Sequence, residues 1–476
     1  MAAQSQVAID AAPVRAVVAE LIRRARAAQA VFQRYSQAQL DEVATAAAWA
    51  LMDPARNRTL AELAVRDTGL GNVADKIVKN HRKTLGLMRD LQDAKTTGVI
   101  ADYADTGITE IARPAGVVAA MVPSTNPGAT PANNIINALK CGNAVILSPS
   151  PKGYTTCATL VGYIHAELQR VGAPLDLVQM LPAPVTKASS TELMQQSDLV
   201  VVTGSRANVR AGYSSGKPAL GVGAGNVAVI IDDSADVGDA AAKIMTSKIF
   251  DNATSCSSEN SVIVHANVYG AMLAALAQQG GALLTTTEKT TLQKVMFPDG
   301  HLSSAITAQS VRKICTIAGL TRPAMADAKC LLVEESGTGP EFPFSGEKLS
   351  PVLTLYRADS FDHAFNILRD IYAYMGNGHS CGIYSENDAH IRRLGLEMTV
   401  CRVIVKQAHT FATGGSFDNG LPFSLSMGCG TWGGNSFSEN LHYKHFLNIT
   451  RIVRTIPPRE VTPDEIFGAY RKKYKI

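Results

Sequence analysis

The chain has no apolar run near the roughly 18 residues that a membrane span requires, and no long block of basic residues. It also lacks a CxxC pair and any His/Cys spacing of the metal-binding kind. These absences argue against a spanning helix, a nucleic-acid partner, a structural zinc site and a disulfide framework. The Ala- and Arg-rich N-terminus could suggest a transit peptide, but it has no h-region and its pattern runs on at helical spacing, so it is read as a first helix. No internal repeat and no low-complexity tract is present.

What is there is ordinary for a soluble protein of two or three domains: 476 residues, 46% hydrophobic, 18% charged, formal net charge +4. Eight unpaired-looking cysteines in so large a chain fit a reducing, cytoplasmic setting, most of them as small buried side chains.

From about residue 114, short apolar runs alternate with helical stretches. "GVVAAMV" (116–122), "AVIL" (144–147), "LVQML" (177–181) and "LVVV" (199–202) read as strands buried on both faces, with a helix opening at Pro131. After "GVGAGNVAVIID" (221–232) the alternation resumes with "SVIV" (261–264), "PVLTLY" (351–356), "CGIYS" (381–385) and "RVIVK" (402–406). The pattern predicts an α/β protein of two doubly wound parallel domains.

At the N-terminus, Val17, Leu21, Ala25 and Ala28 mark one face of a first helix. Residues 98–113 alternate as a hairpin. In the tail, Thr462, Pro463 and Glu465 signal a helix start, with Ile466, Phe467, Tyr470 and Tyr474 on one side that is expected to pack on its own chain.

Several positions bear on chemistry. Thr203, Gly204 and Ser205 stand where a strand gives way to a helix, a position suited to a pyrophosphate, with Arg206 and Arg210 adding charge. The GxGxxG spacing is absent, so taken alone Gly204 marks only a turn. Asn126 in "PSTNPG" is either an oxyanion donor or an Asn-Pro turn. Cys256 sits among Asn252, Thr254, Ser255, Ser257 and Ser258, polar company in which a thiolate forms readily; by position alone it is either a nucleophile or a small buried side chain.

Taken together, "PAGVVAAMVPSTNPG", "SPSPKG", "VVTGS", "GVGAGN", "NATSCSSENSVIV", "EKLSPVLTLY" and "GCGTWGGNSFSENLHYKHFLNIT" follow the order and spacing of the aldehyde dehydrogenase superfamily. The chain resembles its coenzyme A-acylating branch, from "RYSQAQLDEVA" near residue 34 to about residue 455. The resemblance implies a nicotinamide cofactor domain over 1–225 with an oligomerisation hairpin at about 98–113. It implies a catalytic domain over 226–430, and a return segment and docking tail over 431–476.

It further implies Cys256 as nucleophile, Asn126 as oxyanion donor and His379 as a group that takes a proton from coenzyme A or polarises the site. Ser148 and Pro149 would contact the adenosine end of the cofactor, Thr203, Gly204 and Ser205 its pyrophosphate, and Glu347 its nicotinamide ribose. Glu259 is expected to be structural. Gly221 falls where hydrolytic members carry a glutamate general base.

The implied activity is oxidation of a short aldehyde with NADP or NAD to an acyl-coenzyme A, with no metal. Ser148 replaces the lysine that usually touches the cofactor ribose, so the choice of nucleotide stays open, with Arg206 or Lys152 near a ribose phosphate. The loop 406–420 is expected to line the aldehyde tunnel, where Lys406, His409, Thr410 and Ser416 would receive an anionic tail. Sulfoacetaldehyde is the first candidate, succinate semialdehyde the second, ahead of acetaldehyde or propionaldehyde. The family's habit implies a homodimer or homotetramer.

Overall fold

Strands that read as unbroken apolar runs need cover on both sheet faces, and helices between parallel strands provide it. The computed structural model describes residues 11–223 and 225–476. Strands β1 (Gly98–Tyr103) and β2 (Ile108–Pro114) form the expected antiparallel hairpin.

A first parallel sheet comprises β3 (Val117–Val122), β4 (Ala144–Pro149), β5 (Val178–Met180), β6 (Leu199–Thr203) and β7 (Ala219–Val222). Its order is β5-β4-β3-β6-β7, and every residue of β3 and β4 is buried. The second parallel sheet holds β8 (Val227–Ile231), β9 (Glu259–His265), β10 (Gly281–Leu283), β11 (Cys330–Glu334), β12 (Val352–Ala358), β13 (Cys381–Tyr384) and β14 (Val403–Val405). Its order is β10-β11-β12-β9-β8-β13-β14. Finally β15 (Leu447–Val453) returns to pair with β2, making the hairpin a three-stranded antiparallel ribbon.

The stretch 221–232 therefore contributes to two strands of different sheets. β10 and β11 escape the sequence reading because each is short, three and five residues, too few to establish a pattern.

The helices preceding the second sheet are α1 (Ala11–Phe32), α2 (Gln37–Met52), α3 (Pro54–Thr68), α4 (Val73–Leu91), α5 (Ala129–Lys140), α6 (Tyr154–Arg170), α7 (Lys187–Gln196) and α8 (Arg206–Tyr213). α1 forms as expected but is rotated about one residue: Val18, Ile22, Ala25, Ala28 and Phe32 are buried, whereas Val17 is exposed. α5 starts at Ala129, two residues before Pro131, because a proline in the first turn forfeits no intrahelical bond.

The C-terminal helix Pro463–Tyr474 carries the capping box read from Thr462 and Glu465. Its apolar side does not pack on its own chain: Ile466, Phe467, Tyr470 and Tyr474 are all exposed. Pro457 and Pro458 lead into a segment, 458–465, that is exposed throughout, so no turn brings the helix back to the core. Among the described residues no helix is long and apolar enough to cross a membrane.

Candidate active site

The two sheets meet in an uneven way. β3 and β6 leave the first sheet at their carboxyl ends, where the strand order reverses and open α/β folds take ligands. β9, β12 and β13 enter the second sheet at their amino ends. Cys256 stands just before β9, Glu347 before β12 and His379 before β13; β12 pairs with β9, and β8 separates β9 from β13. Asn126 follows β3, Pro149 closes β4 and Gly204 follows β6.

Gly225 ties three of these segments together. Its N–H donates to Glu347 Oε1 at 3.2 Å. A Cβ at that position would stand 2.5 Å from the carbonyl oxygen of Cys256 and 3.0 Å from His379 Cδ2, so only glycine fits between them. The sequence alone did not single out this residue.

The backbone leading to Cys256 is unusual. Asp251, Asn252 and Ala253 have φ of 50°, 51° and 58°, three consecutive left-handed residues of which none is glycine. Each costs about 1–2 kcal/mol, so the surroundings must over-determine the turn. They do so through the buried Asp251 carboxylate. It accepts from Lys76 Nζ at 3.0 Å, Lys79 Nζ at 2.5 Å, Thr254 Oγ1 at 2.7 Å and the N–H of Asn72 at 2.9 Å. Burial would raise the Asp251 pKa, but Lys79 and Lys76 outweigh it and hold the carboxyl below its usual range.

Lys79 reaches further, donating to Asn126 Oδ1 at 3.0 Å and Thr254 Oγ1 at 3.0 Å. An ammonium can only donate, so the oxygen of the Asn126 amide faces it and the NH₂ is turned the other way, free to serve as a donor. Lys76, Lys79 and Lys83 occupy one buried face of α4 at helical spacing. That periodicity was present in the sequence, but lysines at such spacing ordinarily mark a solvated face.

Cys256 itself is half-buried. Despite its hydroxyl-rich sequence neighbours, burial pushes its thiol up to about 12, with Glu347 and Cys429 adding to the rise and Ser257 opposing it. Of the polar company expected to favour a thiolate, Ser257 alone opposes the rise, and Thr254 is bonded to Asp251, so burial wins. Burial likewise raises the Glu347 carboxyl to about 8, opposed by the Gly225 N–H and by the charges of Arg206, Lys248 and Lys348.

His379 is buried, with Nδ1 2.7 Å from Ser380 Oγ, which in turn lies 2.8 Å from His409 Nε2. Its Nε2 has no partner among the described residues. Burial, reinforced by Arg402, lowers His379 to about 3 and keeps the imidazole neutral. Glu259 is locked by the Ser247 hydroxyl and by the N–H of His409 at 3.1 Å.

The remaining candidates line the first sheet's carboxyl edge. Ser148 is bonded to Ser190 Oγ of α7 at 2.8 Å, Thr203 Oγ1 to Ser426 Oγ at 2.6 Å, and the Gly204 N–H to Val222 O at 3.2 Å. Ser205 caps α8, accepting from the N–H of Asn208 at 3.3 Å, with Arg206 in the first turn. A nicotinamide dinucleotide fits between this edge and the second sheet: a helix start with an arginine for phosphates, and a half-buried carboxyl at Glu347 that among the described residues accepts from one N–H.

Two expectations for the aldehyde tunnel fail. Lys406 is paired with Glu386 at 2.7 Å, and His409 is enclosed by Ser380 and Glu259. At Gly221, a Cβ would come within 2.7 Å of Val209 Cγ1 and 3.0 Å of Tyr213 Cε2, so packing from α8 fills the place where a base would begin. No residue from 219 to 226 carries a carboxylate.

The model of the Aldehyde dehydrogenase family matches residues 4–325. The chain belongs to this family. It is 63% identical over 455 residues, 95% of this chain and 92% of the relative, to a sulfoacetaldehyde dehydrogenase (acylating) of Cupriavidus necator. A sulfoacetaldehyde dehydrogenase from an Acholeplasma species is 42% identical, covering 96% and 95% of the two chains. Among solved structures, an acetylating aldehyde dehydrogenase from Geobacillus thermoglucosidasius superimposes with a TM-score of 0.91 at 33% identity, covering 96% of this chain and all of that one. As a family member the protein is an oxidoreductase acting on aldehydes.

Proposed function

We propose that the protein is a coenzyme A-acylating sulfoacetaldehyde dehydrogenase using NAD or NADP. The observation that carries the acylating half is Gly221, whose side-chain position is filled by Val209 and Tyr213 and whose segment, 219–226, holds no carboxylate; the substrate half rests on likeness to the acylating sulfoacetaldehyde dehydrogenase of C. necator.

In this reading the Cys256 sulfur attacks the aldehyde carbon, and the oxyanion of the thiohemiacetal takes hydrogen bonds from the Asn126 amide and the Cys256 N–H. NAD or NADP, held by the start of α8 and by Glu347, would supply the hydride acceptor. The acyl group is left as a thioester on Cys256. Coenzyme A thiolate then displaces the cysteine sulfur, so aldehyde, NAD(P)⁺ and coenzyme A give acyl-coenzyme A, NAD(P)H and one proton.

Water, with a pKa near 15.7, needs a base worth about 10² to 10⁴ in rate to compete, and the packing at Gly221 leaves none there. A thiol of pKa about 8.5 needs far less help. His379, neutral and with Nε2 unpaired, is assigned the transient proton contact with the incoming thiol. It is too weak a base to keep the proton, so Nε2 passes it on rather than stores it. Burial holds the Cys256 thiol at about 12, so a charge or hydrogen-bond donor in the site must favour its thiolate for attack.

The same reading places residues 1–225 in cofactor binding and 226–430 in catalysis, with 431–476 as return segment and tail. Eight free cysteines support a reducing cytoplasmic setting, and the exposed apolar tail supports a homo-oligomer.

The deciding assay follows NAD(P)H and thioester formation from sulfoacetaldehyde with and without coenzyme A. Strict dependence on coenzyme A is expected. Release of free sulfoacetate at an equal rate without it refutes the acylating reading, and turnover of succinate semialdehyde alone refutes the substrate.

A further inference from the structure

α4 buries more positive charge than the reaction described above uses. Lys76 and Lys79 share Asp251. Lys83, one turn further on, is only 9% exposed and has no carboxylate partner among the described residues. Its ammonium donates to the carbonyl of Gly414 at 2.6 Å, leaving two of three N–H bonds without a protein acceptor.

Beside it, Arg82 donates to Ser416 Oγ at 2.8 Å and to the Phe411 carbonyl at 3.3 Å, set among the rings of Phe411, Phe417 and Phe423. The nearby carboxylates do not reach Lys83. Asp90 is held by Arg89 and by the Phe423 N–H, while Asp418 lies on the Arg82 side, hydrogen-bonded by Ser416. A buried ammonium met by one carbonyl and by the face of the Phe423 ring at 5.5 Å still lacks a counter-charge, which is costly unless an anion arrives to meet it.

Resting on the sulfonated-aldehyde reading, we propose that Lys83, flanked by Arg82, receives the sulfonate of the substrate and thereby sets the preference for an anionic over an uncharged short aldehyde. The length agrees. Residues four apart on a helix are separated by about 6 Å along its axis, so Lys83 stands about 6 Å beyond Lys79, which holds Asn126 at the reacting carbonyl. In a two-carbon sulfonated aldehyde the carbonyl carbon is roughly 4 Å from a sulfonate oxygen, and a charge-assisted hydrogen bond adds about 2.8 Å.

The walls are firm. Gly414 has no room for a Cβ, which would stand 2.6 Å from both Lys83 Nζ and the Ser424 carbonyl, and Gly86 of α4 lies directly under the Phe423 ring. Burial and then the charges of Arg82 and Lys79 lower the Lys83 pKa to about 7, so an arriving anion would favour its charged form. The tail receptor thus lies on α4, while Lys406, the sequence candidate on the facing loop, is engaged with Glu386.

The test compares the wild type with Lys83→Met and Lys83→Arg. The readout is the ratio of kcat/KM for sulfoacetaldehyde to kcat/KM for propionaldehyde, both in coenzyme A-dependent turnover. Ethanesulfonate, which has the anion but no aldehyde, serves as a probe of the subsite. In the wild type it should compete with propionaldehyde. Lys83→Met should weaken that inhibition and lower the specificity ratio by about 10- to 100-fold, and Lys83→Arg should recover most of both.

A ratio within threefold of wild type in Lys83→Met, or no competition by ethanesulfonate in the wild type, overturns the proposal. If Lys83→Met does not fold, Lys83→Gln and the wild-type inhibition pattern decide. A wild type that oxidises propionaldehyde but not sulfoacetaldehyde refutes instead the substrate reading on which the proposal rests.

Discussion

Replacing Lys79 with Met removes one ammonium that holds together the two halves of the proposed oxyanion site. Three hydrogen bonds disappear: to Asn126 Oδ1, Asp251 Oδ2 and Thr254 Oγ1. Asp251 keeps Lys76 at 3.0 Å, Thr254 at 2.7 Å and the Asn72 N–H, so its charge is not orphaned. The stability loss should therefore be about 1–3 kcal/mol, the range for losing hydrogen bonds to charge, rather than the roughly 3–5 kcal/mol of a buried ion stripped of its partner.

Catalysis should suffer more. Without a cation to fix its oxygen, the Asn126 amide is free to rotate or flip, and the loss approaches that of deleting an oxyanion donor, about 10²- to 10³-fold in kcat. Steady-state kinetics with saturating coenzyme A, together with urea unfolding, measures both effects. Because Lys79 acts through Asn126, the double variant Lys79→Met/Asn126→Ala should be little slower than Asn126→Ala alone. A Lys79→Met enzyme within threefold of the wild-type kcat, or a double variant whose losses multiply, refutes the positioning role.

Three further outcomes are expected. Cys256→Ser should lower coenzyme A-dependent turnover by at least about 10³-fold and abolish a trappable enzyme-bound acyl group, checked by mass spectrometry of the aldehyde-treated protein. Gly221→Glu should cost about 1–3 kcal/mol through collision with Val209 and Tyr213 and should bring no coenzyme A-independent hydrolysis; a stable, hydrolytic variant contradicts the packing argument. For Glu347 the folded pKa of about 8 lies above the unfolded value of about 4.3, so the native state holds a proton that the unfolded chain has released. Its stabilising share is present below about pH 4.3 and is lost as pH rises toward 8, so the stability of wild type relative to Glu347→Gln should fall between pH 5 and 8.5 by at most about 4 kcal/mol, reduced by solvent screening of the half-buried carboxyl, in urea titrations. An unchanged difference refutes the assigned shift.

Much of the architecture was written locally. Runs such as "VVAAMV" and "AVIL" have no polar face to offer water, so they could only become inner strands of parallel sheets, and the Thr462–Glu465 capping pair could only open a helix. The residues around Cys256 were legible as a motif only through the resemblance of the whole series of segments to the aldehyde dehydrogenase superfamily; by position alone the cysteine stayed open. Yet composition misjudged their effect. The thiol environment depends on which way each neighbour turns, and burial won over polar sequence company.

The sequence by itself determined the α/β class, the alternation of strands and helices, the absence of a carboxylate near Gly221 and the identity of the candidate nucleophile. Only the tertiary structure decided that the carboxyl edge of one sheet faces the amino edge of the other, which brings Asn126 to Cys256 through Lys79 and Asp251, residues 172 positions apart. It also decided that three lysines on α4 are buried rather than solvated and that the tail helix leaves its apolar side uncovered. The reason is physical: periodicity and caps are set by neighbours along the chain, whereas burial, ion pairing and pKa depend on groups that only folding brings together.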